Sequence, residues 1–99
     1  MGESRSKRVL IVDNDEEESA RLGLTFQRAG YDSSATWSGL EALELLKSGK
    51  YDVLLVSSYL PDVYVGDFVK RLNRLPERPG TIVMQEVYTS AETQQKSRK

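Results

Sequence analysis

Residues 8–18 read Arg-Val-Leu-Ile-Val-Asp-Asn-Asp-Glu-Glu-Glu, and this stretch decides the fold. Val9-Leu10-Ile11-Val12 is a continuous apolar run rich in β-branched residues. A strand buried on both faces has this pattern. The run stops at Asp13-Asn14-Asp15. Asp15 is a good helix N-cap, and Glu18 stands in capping-box register with it. Glu16, Glu17 and Glu18 occupy the first turn, where the helix dipole favours negative charge. Leu22, Phe26 and Ala29 then space as one apolar face, and Gly30 suits the position just past a helix end. The spacing predicts a helix over 15–29.

The same alternation continues outward. Residues 31–36 are a weak strand candidate. Gly39 opens a second helical stripe, carried by Leu40, Ala42, Leu43 and Leu46 and ended by Gly49. Val53-Leu54-Leu55-Val56 is a second buried strand. A loop with Pro61 and Gly66 follows. Phe68, Val69, Leu72 and Leu75 predict a third helix, stopped by Pro76 and Pro79. Thr81-Ile82-Val83-Met84 is the fourth strand. Ser90 suits the cap of a short further helix, but after Thr93 no apolar residue remains to dock one. The order β-α-β-α-β-α-β implies right-handed crossovers and a doubly wound parallel α/β sheet with helices on both faces. Working residues of such sheets lie past the carboxyl ends of the strands. Those positions are Asp13-Asn14-Asp15, Ser57-Ser58-Tyr59 and Glu86-Val87.

Composition bounds the chemistry. Ninety-nine residues, 38% apolar and 29% charged, allow one domain with a modest core. Fourteen Lys and Arg against fifteen Asp and Glu give a net charge of −1, which argues against binding to a nucleic-acid backbone. The absence of cysteine excludes disulfides, thiol catalysis and Cys-based zinc sites. The absence of histidine removes the commonest metal ligand and general base. No apolar run approaches the ~18 residues of a membrane span, and the N-terminus lacks a secretory signal. The expected organisation is a mobile basic N-terminus over 1–7, a domain over 8–93 and a polar tail over 94–99, in a cytoplasmic protein. Lys96, Arg98 and Lys99 are expected to be solvated rather than bound to nucleic acid or membrane.

Residues 8–93 resemble the receiver domain of two-component response regulators. The segment RVLIVDNDEEE matches that family's first strand and acidic turn. AGYDSSATWSGLEALELLKSGKYDVLLV runs through its second strand, second helix and third strand without a gap. Leu60-Pro61-Asp62 and Gly66 match the loop after the third strand, and VYTSAET at 87–93 resembles the start of a fourth helix. The resemblance implies a flavodoxin-like receiver fold lacking the fifth strand and fifth helix. It also implies a phosphorelay function, in which a histidine kinase passes a phosphoryl group to an aspartate with help from Mg²⁺.

The resemblance also shows what is missing. The acceptor aspartate corresponds to Ser57. The acidic pair after the first strand becomes Asp13 and Asn14, and the hydroxyl residue after the fourth strand corresponds to Glu86. One extra residue lies in the Val63-Tyr64-Val65 stretch. The implied site keeps one carboxylate, Asp13, of the three a Mg²⁺ site offers. Glu86 would repel a phosphoryl group in a partly dry cleft. Ser57 has no His or Lys nearby in sequence to activate it, and a serine cannot form an acyl phosphate. The expectation is a pseudo-receiver with no cofactor, no metal and no catalytic residue. It would bind a signalling kinase, a regulator or a second copy of itself.

Plainer readings stand beside these. Asp13, Asp15 and Glu16 to Glu18 are explained by capping and the helix dipole alone. Ser57 fills the space of an aspartate. Glu86 either pairs with Ser57 or Asn14, or is simply exposed. Trp37, Tyr59, Tyr64 and Tyr88 are candidate contact residues, with Trp37 leaning towards covering the core or its rim. A fourth strand left at the sheet edge would favour a homodimer through that side. Two alternatives remain. One is a conventional phosphorelay receiver using Asp62, Asp52 or Asp15. The other is a nucleotide- or flavin-binding protein, against which the carboxylates of the first turn argue, because phosphate binders need glycines and bare amides there.

Overall fold

The structure is a computed structural model and describes residues 6–85. The elements are β1 (Arg8–Val12), α1 (Glu16–Arg28), β2 (Asp32–Thr36), α2 (Gly39–Leu46), β3 (Val53–Ser57), α3 (Val65–Leu72) and β4 (Thr81–Gln85). All strand pairs are parallel, in the order β2-β1-β3-β4. The chain steps outward from β1 to β2, then crosses back over β1 to reach β3. That reversal puts the topological switch point at the carboxyl ends of β1 and β3, where ligands of open α/β sheets bind. Among the described residues the sheet has four strands, with neither a fifth strand nor a fifth helix.

Alternation along the buried strands sorts the core into two layers. Leu10, Val12, Leu54 and Val56 meet Ala42, Leu43 and Leu46 of α2 and Phe68 and Leu72 of α3. Val9, Ile11 and Leu55 face the other way, towards Leu22 and Phe26 of α1 and Tyr31. The Phe26 and Tyr31 rings meet edge to face with centroids 5.2 Å apart. Each fully buried Leu, Val or Phe stabilises the fold by about 1.5–3 kcal/mol relative to exposure. The second layer is thinner because α1 alone packs on that face among the described residues.

The helix starts follow the sequence closely, with one rearrangement. Asp15 caps α1, its Oδ1 accepting from the Glu18 N–H at 3.1 Å. The reciprocal half of the capping box is replaced. The Asp15 N–H donates to Asp13 Oδ1 at 3.0 Å, while the Glu18 carboxylate accepts from Arg21 and Gln85. Ser38 caps α2, accepting from the Glu41 N–H at 3.0 Å. Gly30 follows α1 with φ 95°, a conformation that L residues avoid.

Three details depart from the periodicity. On α1 the buried positions are Ser19 and Gly23, while Ala29 is the exposed C-cap. Small side chains there let the helix lie close to the sheet. On α2 Leu40 is 42% exposed, because Gly39, Ala42, Leu43 and Leu46 form the inward face. α3 ends at Leu72, before Leu75 and well short of Pro76. Single-turn bonds from the Arg74 N–H to the Arg71 carbonyl and from the Leu75 N–H to the Leu72 carbonyl wind it down.

Candidate functional site

Register assembles the site. Val12 pairs with Thr36 on one side and with Val56 on the other, and Ser57 pairs with Gln85. One step past those pairs, Trp37, Asp13, Ser57 and Gln85 form a row across the carboxyl end of the sheet. The sequence therefore brings Asp13 and Ser57 onto adjoining strands at the switch point. Gln85, which the sequence reading did not single out, stands level with Ser57. Only the non-local register of β4 reveals it. Glu86 and Tyr88 lie outside the described residues, as do Ser90 and the 87–93 segment.

Ser57 is 2% exposed, and its Oγ accepts from the Tyr59 N–H at 3.2 Å. Its hydroxyl is thus occupied in turning the chain out of β3. Asp13 is nearly as buried, and its Oδ1 holds the Asp15 N–H. Its own N–H donates to the Thr36 carbonyl at 3.0 Å, tying the turn to β2. Asn14 is exposed. Gln85 Nε2 reaches Glu18 Oε2 at 3.4 Å and so links the end of β4 to α1 across the top of the site. The same Glu18 carboxylate is paired with Arg21.

This donor set does not fit a magnesium ion. Mg²⁺ needs near-octahedral oxygen ligands with one or two carboxylates. One engaged carboxylate, an exposed amide and an engaged hydroxyl are offered among the described residues. Among the described residues no three acidic side chains converge on one point.

The other carboxylates named from the sequence have structural partners. Asp62 closes the start of α2, its two oxygens accepting from Ser38 Oγ at 2.6 Å and from the N–H groups of Gly39 at 2.9 Å and Leu40 at 3.2 Å. Burial pushes its carboxyl up, but those hydrogen bonds outweigh burial and hold it below the usual carboxylate value. Asp52 sits at the opposite end of the sheet, accepting from the Arg8 N–H at 2.8 Å. Asp15 is the cap of α1.

The aromatic candidates among the described residues, Trp37, Tyr59 and Tyr64, surround this end of the sheet and are exposed. Trp37 is 58%, Tyr59 56% and Tyr64 75% exposed. Trp37 therefore stands at a rim rather than over the core. Tyr64 precedes α3, and its ring lies against Gly66, where a Cβ would come within 2.9 Å of Cε2.

No family model and no curated protein matches the sequence. Solved structures do match. A CheY-like response regulator receiver domain from Methylobacillus flagellatus superposes with a TM-score of 0.75 at 22% identity, over 85% of this chain and 72% of that one. The fold is that of a response-regulator receiver domain. The chemotaxis response regulator CheY4 of Vibrio cholerae matches this receiver fold with a TM-score of 0.68 at 25% identity, over 95% of this chain and 79% of that one. A sensor protein from Polaromonas gives 0.73 at 27% identity, over 82% and 66%. The receiver fold thus spans about two thirds to four fifths of those chains. Its setting is response-regulator signalling. Among the described residues no helix is long and apolar enough to cross a membrane.

Proposed function

We propose that this chain is a pseudo-receiver, acting in signal transduction by protein–protein contact without phosphorylation at the receiver position. The observation that carries the reading is Ser57: a buried hydroxyl, already holding the Tyr59 N–H, at the end of the strand beside the switch point. A phosphoryl group there would displace that bond. It would also stand on the strand beside the Asp13 carboxylate, where the two negative groups repel.

The engaged states of Asp62 and Asp15 and the remote position of Asp52 weigh against a substitute acceptor. The acidic first turn weighs against a nucleotide or flavin, whose phosphates would meet Glu16, Glu17 and Glu18. The partner in this reading is a signalling kinase, a regulator or a second copy of the chain. Tyr59 and Tyr64 offer an exposed aromatic surface for the first two. β4, the outer strand among the described residues, offers an edge for the third.

The test is intact mass of the full chain after incubation with Mg²⁺ and acetyl phosphate. The mass is expected to stay unchanged. Addition of one phosphoryl group, mapped to any carboxylate, would overturn the reading. A nucleotide-dependent rise in melting temperature would overturn it in favour of the enzyme class.

A further inference from the structure

A groove of about 660 Å³ runs between α1 and β2, on the side of Asp13 away from Ser57. That is within the usual size of small-molecule sites. Its floor is apolar, from Ile11 and Ala35 on the strands and Leu24 on the helix. Its upper end carries two carboxylates, Asp13 and Glu16, and among the described residues no Lys or Arg lines it. Glu16 makes no ion pair within the described residues, unlike Glu18 further round the helix, which holds Arg21. Trp37 forms the rim, more than half exposed. Ser19 lines the wall. It is 8% exposed, and its Oγ is the buried side-chain oxygen among the described residues that lacks a hydrogen-bond partner. A buried hydroxyl left unpaired costs stability, and a ligand that bonds to it removes that cost.

These features select a ligand by charge and shape. An anion would meet two carboxylates and, among the described residues, no basic side chain. A purely apolar molecule would leave the carboxylates and Ser19 unanswered. A cation on an aliphatic stem answers each feature: the stem lies over Ile11, Ala35 and Leu24, the charged head meets Asp13 and Glu16 and donates an N–H to Ser19 Oγ, and the indole face of Trp37 attracts the cation. We infer that the α1–β2 groove is a binding site for a small organic cation, a primary amine or guanidinium carried on a short aliphatic chain. The groove shares Asp13 and Trp37 with the row at the carboxyl end of the sheet but does not include Ser57.

Trp37 is the single tryptophan of the chain, so its emission reports the groove directly. The experiment titrates the full chain with agmatine and follows Trp37 fluorescence and calorimetric heat. Neutral butylurea and inorganic phosphate serve as comparison probes. Saturable binding of agmatine, with neither comparison probe binding, is expected. Glu16→Gln is expected to weaken binding roughly fivefold or more, the equivalent of one lost charge pair. Glu17→Gln, outside the groove on the same turn, is expected to change it less than about twofold. Ser19→Ala, with its fold checked by circular dichroism, is expected to weaken binding as well. No saturation at tens of millimolar agmatine would overturn the proposal. Equal binding of butylurea, or an equal loss in Glu17→Gln, would overturn it too, since the effect would then be apolar or a general consequence of surface charge.

Discussion

Asp62 shows how one side chain can be claimed by structure rather than chemistry. From the sequence it stands in the loop that should carry a phosphorylation site. In the fold its carboxylate receives one hydroxyl and two backbone N–H groups at the start of a helix 23 residues away in the chain. Those bonds exist in full only when the group is ionised, which is why its titration is displaced downward. The stability it contributes is therefore fully present above the unfolded value of 3.8 and is lost as pH falls through the lower folded value. Asp62→Asn is expected to cost about 1–2 kcal/mol at pH 7. It is also expected to flatten the acid side of the stability profile, as measured by urea unfolding between pH 7 and pH 3. Equal acid sensitivity in both proteins would contradict the assignment. Ser57 allows the converse test. Ser57→Asp would bury a second carboxylate beside Asp13 and lower stability by about 1–3 kcal/mol in EDTA. Millimolar magnesium is expected to restore part of the melting temperature of that variant while leaving the unaltered chain unmoved.

The contact between α2 and the β3–α3 loop turns on Gly39. A Cβ there would come within 2.5 Å of Val63 Cγ1 and 2.9 Å of Leu60 Cδ1, so any larger residue must push those side chains aside. Gly39→Ala is expected to destabilise the fold by about 1–3 kcal/mol by displacing the loop. Chemical shifts of residues 60–63 should move with it. A neutral substitution would show that the loop yields freely. This element also shows where the sequence was legible. Val9 to Val12 running into Asp13-Asn14-Asp15, and Gly30 after a helical stripe, are local signals, and both ends of α1 follow from them. The inward positions of Ser19 and Gly23 carry no hydrophobic signal and are fixed only by packing on the sheet. Leu40 misleads for the same reason: its stripe is apolar, but the sheet lies on the Gly39 side. At the candidate site Asp13 and Ser57 were legible from their strands. Gln85 was not, since parallel register is set by pairing between distant segments.

At the scale of the whole sheet, the two edges differ among the described residues. β4 carries Ile82, Val83 and Met84, each more than two fifths exposed and divided between both faces of the sheet. Exposed apolar edges of this kind recruit further strands. The average mass of the chain in sedimentation is expected to rise above that of a monomer with concentration. Val83→Lys is expected to hold it at the monomer, as charged residues on edges do. A clean monomer of the unaltered chain at high micromolar concentration would exclude this route. The opposite edge, β2, reads Asp-Ser-Ser-Ala-Thr and offers no matching apolar strip. That inequality governs how far growth can proceed. Joining β4 to the β2 of a neighbour would leave fresh edges and run on into a fibre, whereas joining β4 to its own copy about a two-fold axis uses both adhesive strands at once. With one apolar border and one polar one among the described residues, pairing about a two-fold axis is the expected end point, and concentrated solutions are expected to stay clear rather than gel.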